Sequence, residues 1–204
     1  MFKGKLTFID ILFERHRVVA RFVGLILTLS FSSGFAMECS DTNDCDTLDS
    51  MEQRALGGSQ KAQMKLAGLY LNGAGVEQNV DKAIKWYRVA ADNDVSYAQY
   101  KLAWLYLEGR LVDQDVMRAK EWFERASTLG YIDAQLDLSR LYSSGQYFEV
   151  DYVAALKWVN IADSLSSTDL QFRIIELEEK MNVLQRFEAM LLFRTCLMRE
   201  YRDC

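Results

Sequence analysis

Side chains that could serve as general bases or metal ligands are scarce in this chain. Its one histidine, His16, lies in a basic and apolar stretch at the N-terminus. Histidine is the commonest general base and the commonest metal ligand in proteins, so the rest of the chain lacks the residue that most such sites use. Carboxylates are plentiful but scattered, and a group such as Glu176, Glu178 and Glu179 is typical of a solvated helix face. We therefore predict a protein that is not an enzyme and that holds no metal and no cofactor.

Disulfide formation is the other chemistry that the residues offer. The four cysteines all lie in the flanks of the chain: Cys39, Cys45, Cys196 and Cys204. An even number of cysteines in an exported protein indicates disulfides, and four of them allow three connectivities. A helical array that holds its two ends apart favours Cys39–Cys45 and Cys196–Cys204. Eight residues along an unbroken helix span about 12 Å, too far for a disulfide, so the last helix must end near residues 199–201 and fold back.

The N-terminal stretch predicts export. Residues 1–36 hold five basic and two acidic side chains, then an apolar run over residues 22–31, then small residues at Gly34 and Ala36. This order is typical of a cleavable secretory signal, and we expect cleavage after Ala36. The alternative is an uncleaved membrane anchor, for which the apolar run is short. The protein would then be periplasmic or secreted, or in the alternative anchored in the membrane and facing the periplasm.

The charge of the remaining residues limits the partners. Without the five basic and two acidic residues of the leader, the 24 basic and 29 acidic residues of the chain leave a net charge of −8 on residues 37–204. Nucleic acids and anionic membranes attract basic surfaces. We therefore predict no nucleic-acid partner and no membrane contact other than through an uncleaved leader.

A 36-residue repeat runs three times through the middle of the chain. Nine residues return unchanged 36 and 72 positions later; in the first copy they are Ala62, Gln63, Leu66, Leu69, Tyr70, Gly73, Ala83, Trp86 and Ala90. Their spacing predicts two amphipathic helices per copy, with the alanines allowing close approach and the tryptophans filling the space between layers. Gly73 stands where a left-handed closing residue is needed. Asn79, which Asp115 and Asp151 replace in the later copies, is a good N-cap for the second helix.

The repeated unit resembles the SEL-one-like repeat family, a relative of the tetratricopeptide repeats. The first copy, AQMKLAGLYLNGAGVEQNVDKAIKWYRVAADND over residues 62–94, matches best, and the resemblance covers about residues 59–165. It implies an all-α fold, a right-handed superhelix of antiparallel helix pairs, and a role as a scaffold for protein complexes. The later copies depart from it at the second loop glycine, because Leu111 and Tyr147 stand in the place of Gly75.

The repeats divide the chain into successive segments. These are a signal over 1–36, a flank with a partial repeat over 37–58, repeats over 59–94, 95–130 and 131–166, and capping helices over 167–204. An array this short needs capped ends. In the cap, an apolar helical face formed by Leu170, Ile174, Leu177 and Met181 is continued by Leu184, Phe187, Leu191 and Cys196. We expect Asn182 to break the cap into two helices.

Positions that vary among the three first helices are candidates for binding a partner. Gly68, Trp104 and Arg140 lie two residues after the repeated leucine, whereas Lys65, Lys101 and Asp137 lie just before it. Residues three apart share one side of a helix, which we expect to face the concave surface. Tryptophan and arginine concentrate binding energy at interfaces, although Trp104 could instead only pack on a neighbouring helix. The predicted partner-binding residues are Lys65, Tyr100, Lys101, Trp104, Asp137 and Arg140.

The predicted function is that of a non-enzymatic adaptor of the cell envelope that binds a protein or peptide. One alternative is a cell-wall-associated factor whose repeats recruit an enzyme. Another, implied by the resemblance, is a weak β-lactam-binding or β-lactam-hydrolysing enzyme, as described for cysteine-rich secreted members of that family. Those proteins carry a cysteine pair in every repeat, whereas this chain has no cysteine between residues 46 and 195, which argues against that chemistry.

Overall fold

The computed structural model describes residues 47–201 and residue 204, all of which belong to one compact unit, Asp46–Cys204. Within these residues the chain forms nine α-helices and no strand. They are α1 Leu48–Leu56, α2 Gln60–Asn72, α3 Val80–Asp92, α4 Ser96–Glu108, α5 Val116–Thr128, α6 Ile132–Ser144, α7 Tyr152–Leu165, α8 Gln171–Glu179 and α9 Val183–Met198. The predicted signal segment, Cys39 and Cys45 lie outside the described residues.

The helices form a solenoid in which packing is local. Each helix from α1 to α8 packs mainly against its neighbours along the chain, and α9 returns to pack on α7. Such nearest-neighbour packing is the mark of repeat proteins. The pairs α2–α3, α4–α5 and α6–α7 are the three repeated units, and the prediction of an all-α array of helix pairs with two terminal helices is confirmed.

The polar residues and glycines of the repeat set where its helices begin and end. Asn79, Asp115 and Asp151 are the N-caps of α3, α5 and α7, and each accepts a 2.9 Å hydrogen bond from the backbone N–H three residues later. The first helices end at glycines with φ between 64° and 68°, a left-handed conformation that a side chain would disfavour. The predicted roles of these residues are confirmed.

A buried glutamine joins each repeat to the helix before it. Gln63, Gln99 and Gln135 are almost fully buried. Their Nε2 atoms donate to the backbone carbonyls of Ala55, Ala91 and Ser127 at 3.0, 2.9 and 2.9 Å. These carbonyls lie in the last turns of α1, α3 and α5. The carbonyl oxygens of a helix's last turn have no N–H partner within the same helix. The repeated glutamine therefore ties the end of one helix pair to the start of the next.

The terminal helices confirm one half of the predicted cap and correct the other. Asn182 caps α9 in a capping box with Gln185, and on the first part of the predicted apolar face Ile174, Leu177 and Met181 are buried and Leu170 is partly buried. Leu184, Phe187 and Leu191 were expected to extend that face, but they are 79%, 59% and 53% exposed. The helix α9 packs through its opposite face, which carries Ala189 and Cys196. Because α9 is apolar on nearly every side, its sequence pattern does not select the buried face, and the small Ala189 allows the closest approach.

The end of the chain folds back on α7. Cys196 and Cys204 are joined in a disulfide with Cα atoms 5.1 Å apart. The helix α9 ends at Met198, and Glu200 and Tyr201 reverse the chain with φ of 51° and 64°. Lys157 on α7 donates from Nζ to the carbonyl oxygen of Cys204 at 2.8 Å.

No helix in residues 47–201 is long and apolar enough to cross a membrane.

Candidate functional site

Four of the predicted partner-binding residues meet in one hydrogen-bonded cluster on α4 and α6. The Oδ2 atom of Asp137 accepts from the hydroxyl of Tyr100 and from the indole Nε1 of Trp104, each at 3.1 Å. Its Oδ1 atom pairs with Nη1 of Arg140 at 2.8 Å. We call these four residues the Asp137 network. It connects the first helix of the second repeat to the first helix of the third.

The burial of Asp137 corrects one prediction. The residue was expected to present its charge to a partner, but its side chain is only 9% exposed and both carboxylate oxygens already accept hydrogen bonds. A buried carboxylate is costly unless donors surround it, and here one cationic and two neutral donors do so. Asp137 therefore orients its neighbours and is not itself available to a ligand.

Arg140 is the charged group that the network presents to solvent. Its side chain is 60% exposed, and a guanidinium has five N–H donors, so most of them remain for a partner. Arg173 on α8 is half-buried beside the same cluster. Burial lowers the pKa of its guanidinium, and the positive charge of Arg140 acts in the same direction. Two cations thus lie close to the one buried carboxylate.

Aromatic rings surround the Asp137 network. Trp104 packs edge-on against Phe123 with ring centroids 5.9 Å apart, and Tyr100 lies 4.9 Å from Tyr131. Tyr97, which is largely exposed, extends the group to 6.1 Å from Tyr131. Trp104 is half-buried, so it packs on a neighbouring helix and also reaches the surface. Trp104 therefore packs on a neighbouring helix, as one interpretation expected, and is also partly accessible to a partner, as the other expected.

Two tyrosines of the site, Tyr100 and Tyr131, have raised pKa values. Burial raises the pKa of Tyr100 to about 12, and the negative charge of Asp137 acts in the same direction. Burial also raises the pKa of Tyr131 to about 12, with Asp133 contributing. Tyr100 is therefore a hydrogen-bond donor to Asp137 and does not act as a base.

The two predicted lysines flank the network differently. Nζ of Lys101 lies 5.1 Å from the ring centroid of Tyr97, a cation–π distance. Lys65 is exposed on α2, one repeat earlier. The predicted partner-binding residues did not include four neighbours of the network: Tyr97, Phe123, Tyr131 and Arg173. The aromatic residues at 97, 100 and 104, spaced three and four apart, were the signal that could have shown an aromatic stripe on α4.

The side chains of the site can contact a partner through aromatic rings, hydrogen bonds and positive charge. Within residues 47–201 and residue 204, no group of three or more histidine, cysteine, aspartate or glutamate side chains is arranged to hold a metal ion. The groups on the surface of the site are guanidinium, ammonium, phenol and indole. These groups pair with carboxylates, stack on apolar side chains and donate hydrogen bonds.

Comparison with known proteins agrees with the repeats seen in the structure. The family model of the Sel1 repeat matches residues 60–95, 96–131 and 132–162, half of the chain. A Sel1 repeat protein from Oxalobacter formigenes, solved by crystallography, is 36% identical over 63% of this chain and 97% of its own, with a TM-score of 0.56.

A second solved structure is more distant and longer. It is a protective antigen present in uropathogenic Escherichia coli strains that displays an SLR fold. It is 26% identical over 76% of this chain, with a TM-score of 0.52. This chain spans 41% of the length of that protein. No curated protein sequence gave a match. The repeat match and the first structure together show that the chain belongs to the Sel1 repeat family.

Proposed function

We propose that the chain is a non-enzymatic adaptor that binds a protein or peptide on the side of the solenoid formed by α2, α4 and α6. Sel1 repeats generally mediate interactions between proteins and are typically not catalytic. The observation that carries the proposal is the Asp137 network, because it holds an indole, a phenol and an exposed guanidinium in one fixed arrangement. Such an arrangement suits recognition, because the three side chains can contact a partner without first being ordered.

Rigidity is what makes this cluster suitable for binding. Ordering a flexible side chain at an interface costs about 0.5–1.5 kcal/mol. In this protein Asp137 has already ordered Trp104, Tyr100 and Arg140 before any partner arrives. Tryptophan, tyrosine and arginine are also the residues that most often dominate binding energy. The cluster therefore offers a preorganised anchor for a partner.

The charges on the surface favour a partner segment that bears carboxylates. With Asp137 engaged internally, the positive charges beside the network that can reach a partner are those of Arg140 and Lys101. A guanidinium pairs with a carboxylate through two parallel hydrogen bonds, and Lys101 adds a second positive charge. We propose an acidic segment with an apolar residue next to it, which would rest on the exposed parts of Trp104 and Tyr97.

We propose that this binding takes place outside the cytoplasm, in the periplasm or after secretion. The leader pattern of residues 1–36 supports export. The pairing of Cys196 with Cys204 supports an oxidising compartment, since disulfides persist there. Sequencing of the purified protein should find an N-terminus at Met37. An intact leader on a protein that fractionates with the cytoplasm would reject this location.

Charge reversal on the candidate face tests the binding proposal. Arg140→Glu with Lys101→Glu should weaken partner capture from envelope extracts at least about tenfold, equivalent to 1.4 kcal/mol. Arg118→Glu is the matched control, because Arg118 also pairs with an aspartate three residues away, Asp115, and its side chain is 50% exposed on the second helix α5. All variants should keep the helical circular dichroism signal. If the double variant and the control capture the same proteins equally well, the face is not the binding surface.

A further inference from the structure

The last helix leaves its most apolar side uncovered. Leu184, Phe187, Leu191 and Met198 are all exposed on α9, and Val183 beside them is 80% exposed. The opposite side of the helix, with Ala189 and Cys196, packs against the rest of the fold. Helices that are apolar all round are normally covered on every side. The exposed side of α9 therefore needs an occupant.

The spacing on the uncovered side is that of a coiled-coil seam. Leu184, Phe187, Leu191, Arg194 and Met198 are separated by three, four, three and four residues, which is the alternation that packs one helix against another. We call these five residues the α9 seam. Ala189 and Cys196 are seven residues apart and lie opposite the seam, so α9 can contact α7 and a second helix at the same time.

The exposed area is that of an interface. Seven large apolar residues on or beside the seam have exposures between 37% and 80%: Val183, Leu184, Phe187, Met190, Leu191, Leu197 and Met198. Together these side chains present roughly 800–1,000 Å², whereas the largest apolar patch of a typical monomer is about 300–600 Å². A standard stable interface buries about 800 Å² on each partner. One helix of this chain thus supplies the area that a dimer requires.

We propose that the α9 seam pairs with the α9 seam of a second copy of this chain, with the two helices antiparallel. Two identical surfaces related by a two-fold axis form a closed dimer without leaving a free edge. In an antiparallel pair centred near residue 189, Phe187 of each copy faces Leu191 of the other. The proposal does not depend on the Asp137 network, which lies on other helices.

The one charged residue of the seam decides the orientation. A parallel pair would place the two copies of Arg194 against each other, and like charges in contact disfavour that arrangement. In the antiparallel pair the two arginines are about 15 Å apart along the axis. Each faces Leu184 of the other copy, where its apolar stem can pack while the guanidinium stays in water.

Light scattering of the purified chain during size exclusion tests the proposal. We expect a dimer, and we expect the double variant Phe187→Glu with Leu191→Glu to be monomeric, with a dissociation constant at least about 100-fold higher, because buried carboxylates would have no partners. Both positions are exposed in the single chain, so its helical signal should not change. Met117→Glu is the control: Met117 is 62% exposed on α5, and this variant should remain dimeric.

A second variant separates loss of the seam from damage to the fold. Arg194→Leu should tighten the dimer several-fold, because a polar residue in a seam costs stability, and damage to the fold cannot produce a tighter dimer. A wild-type chain that is monomeric at about 100 µM would overturn the proposal. So would a dimer that persists in the Phe187→Glu and Leu191→Glu variant, a dimer that Arg194→Leu weakens, or a monomer whose α9 binds lipid vesicles.

Discussion

At the scale of single residues, Asp137 on α6 is the acceptor that joins the side chains of the candidate site. In the structure Tyr100, Trp104 and Arg140 converge on it and bury it. The repeat register predicts which face of a helix a residue occupies. It does not predict that donors from a neighbouring helix will enclose it, because that depends on distances between helices.

Removing Asp137 should therefore destabilise the fold more than removing its cationic partner. Asp137→Ala should lower the free energy of unfolding by about 2–4 kcal/mol, because three donors lose their acceptor and two of the residues that supply them, Tyr100 and Trp104, are half-buried. Arg140→Ala should cost only about 1 kcal/mol, since the side chain is largely in water. Urea denaturation of both variants measures the difference. Equal costs would show that Asp137 does not organise the cluster.

The same contacts change what can be expected of Trp104. As a residue that only reached the surface, it would be removable without loss of stability. Its packing on Phe123 and its hydrogen bond to Asp137 mean that Trp104→Ala should lower both stability and binding. The exposed Arg140 and Lys101 are consequently the better probes of binding.

At the scale of helices, the parts of the fold that could be predicted are those with a local cause. The caps Asn79, Asp115, Asp151 and Asn182 each act within three residues, and the closing glycines act through their own backbone angles. The packing of α9 could not be predicted in this way. Its apolar residues surround the helix, so the choice of buried face depends on the shape of α7 and not on any pattern within α9.

The middle repeat should be the most sensitive to loss of a core side chain. Trp122 on α5 is 9% exposed and belongs to the main core cluster. Trp122→Ala should cost about 3–5 kcal/mol and, because the array is stabilised by contacts between neighbours, could unfold the whole unit. Met117→Ala on the same helix, where the side chain is exposed, should change the melting temperature by less than about 2 °C. A Trp122 variant that melts close to the wild type would contradict the core assignment.

At the scale of the whole molecule, the two proposed surfaces lie on different helices and can act together. The candidate binding face is formed by α2, α4 and α6, whereas the α9 seam lies on the last helix. A dimer through α9 would carry two binding faces, and two linked sites bind a partner that has two matching segments more tightly than either site alone. The net charge of −8 on residues 37–204 would disfavour most acidic partners, so the basic side chains near the Asp137 network would confer selectivity.

Alkaline pH should unfold the molecule through its buried tyrosines. Burial raises the pKa of Tyr87 and Tyr100 from 10.0 to about 12. A hydrogen bond to Glu52 does the same for Tyr70. A pKa raised in the folded state means that the unfolded chain loses these protons first, so the contribution to stability is complete below pH 10 and is lost as the pH rises through about 12. The thermal midpoint should stay nearly constant from neutrality to about pH 9.5 and then fall. A thermal midpoint that stays constant from neutrality through pH 12 would contradict this.

The most direct test of the central claim is a photo-cross-link from the candidate binding face in living cells. A photoreactive amino acid at position 101, beside Tyr97 and the Asp137 network, should form a covalent adduct with a partner protein. The same amino acid at position 117, exposed on the second helix α5, should form none. The account predicts an adduct from position 101 that Arg140→Glu reduces at least about tenfold. An adduct that forms equally from both positions, or one that Arg140→Glu leaves unchanged, would contradict it.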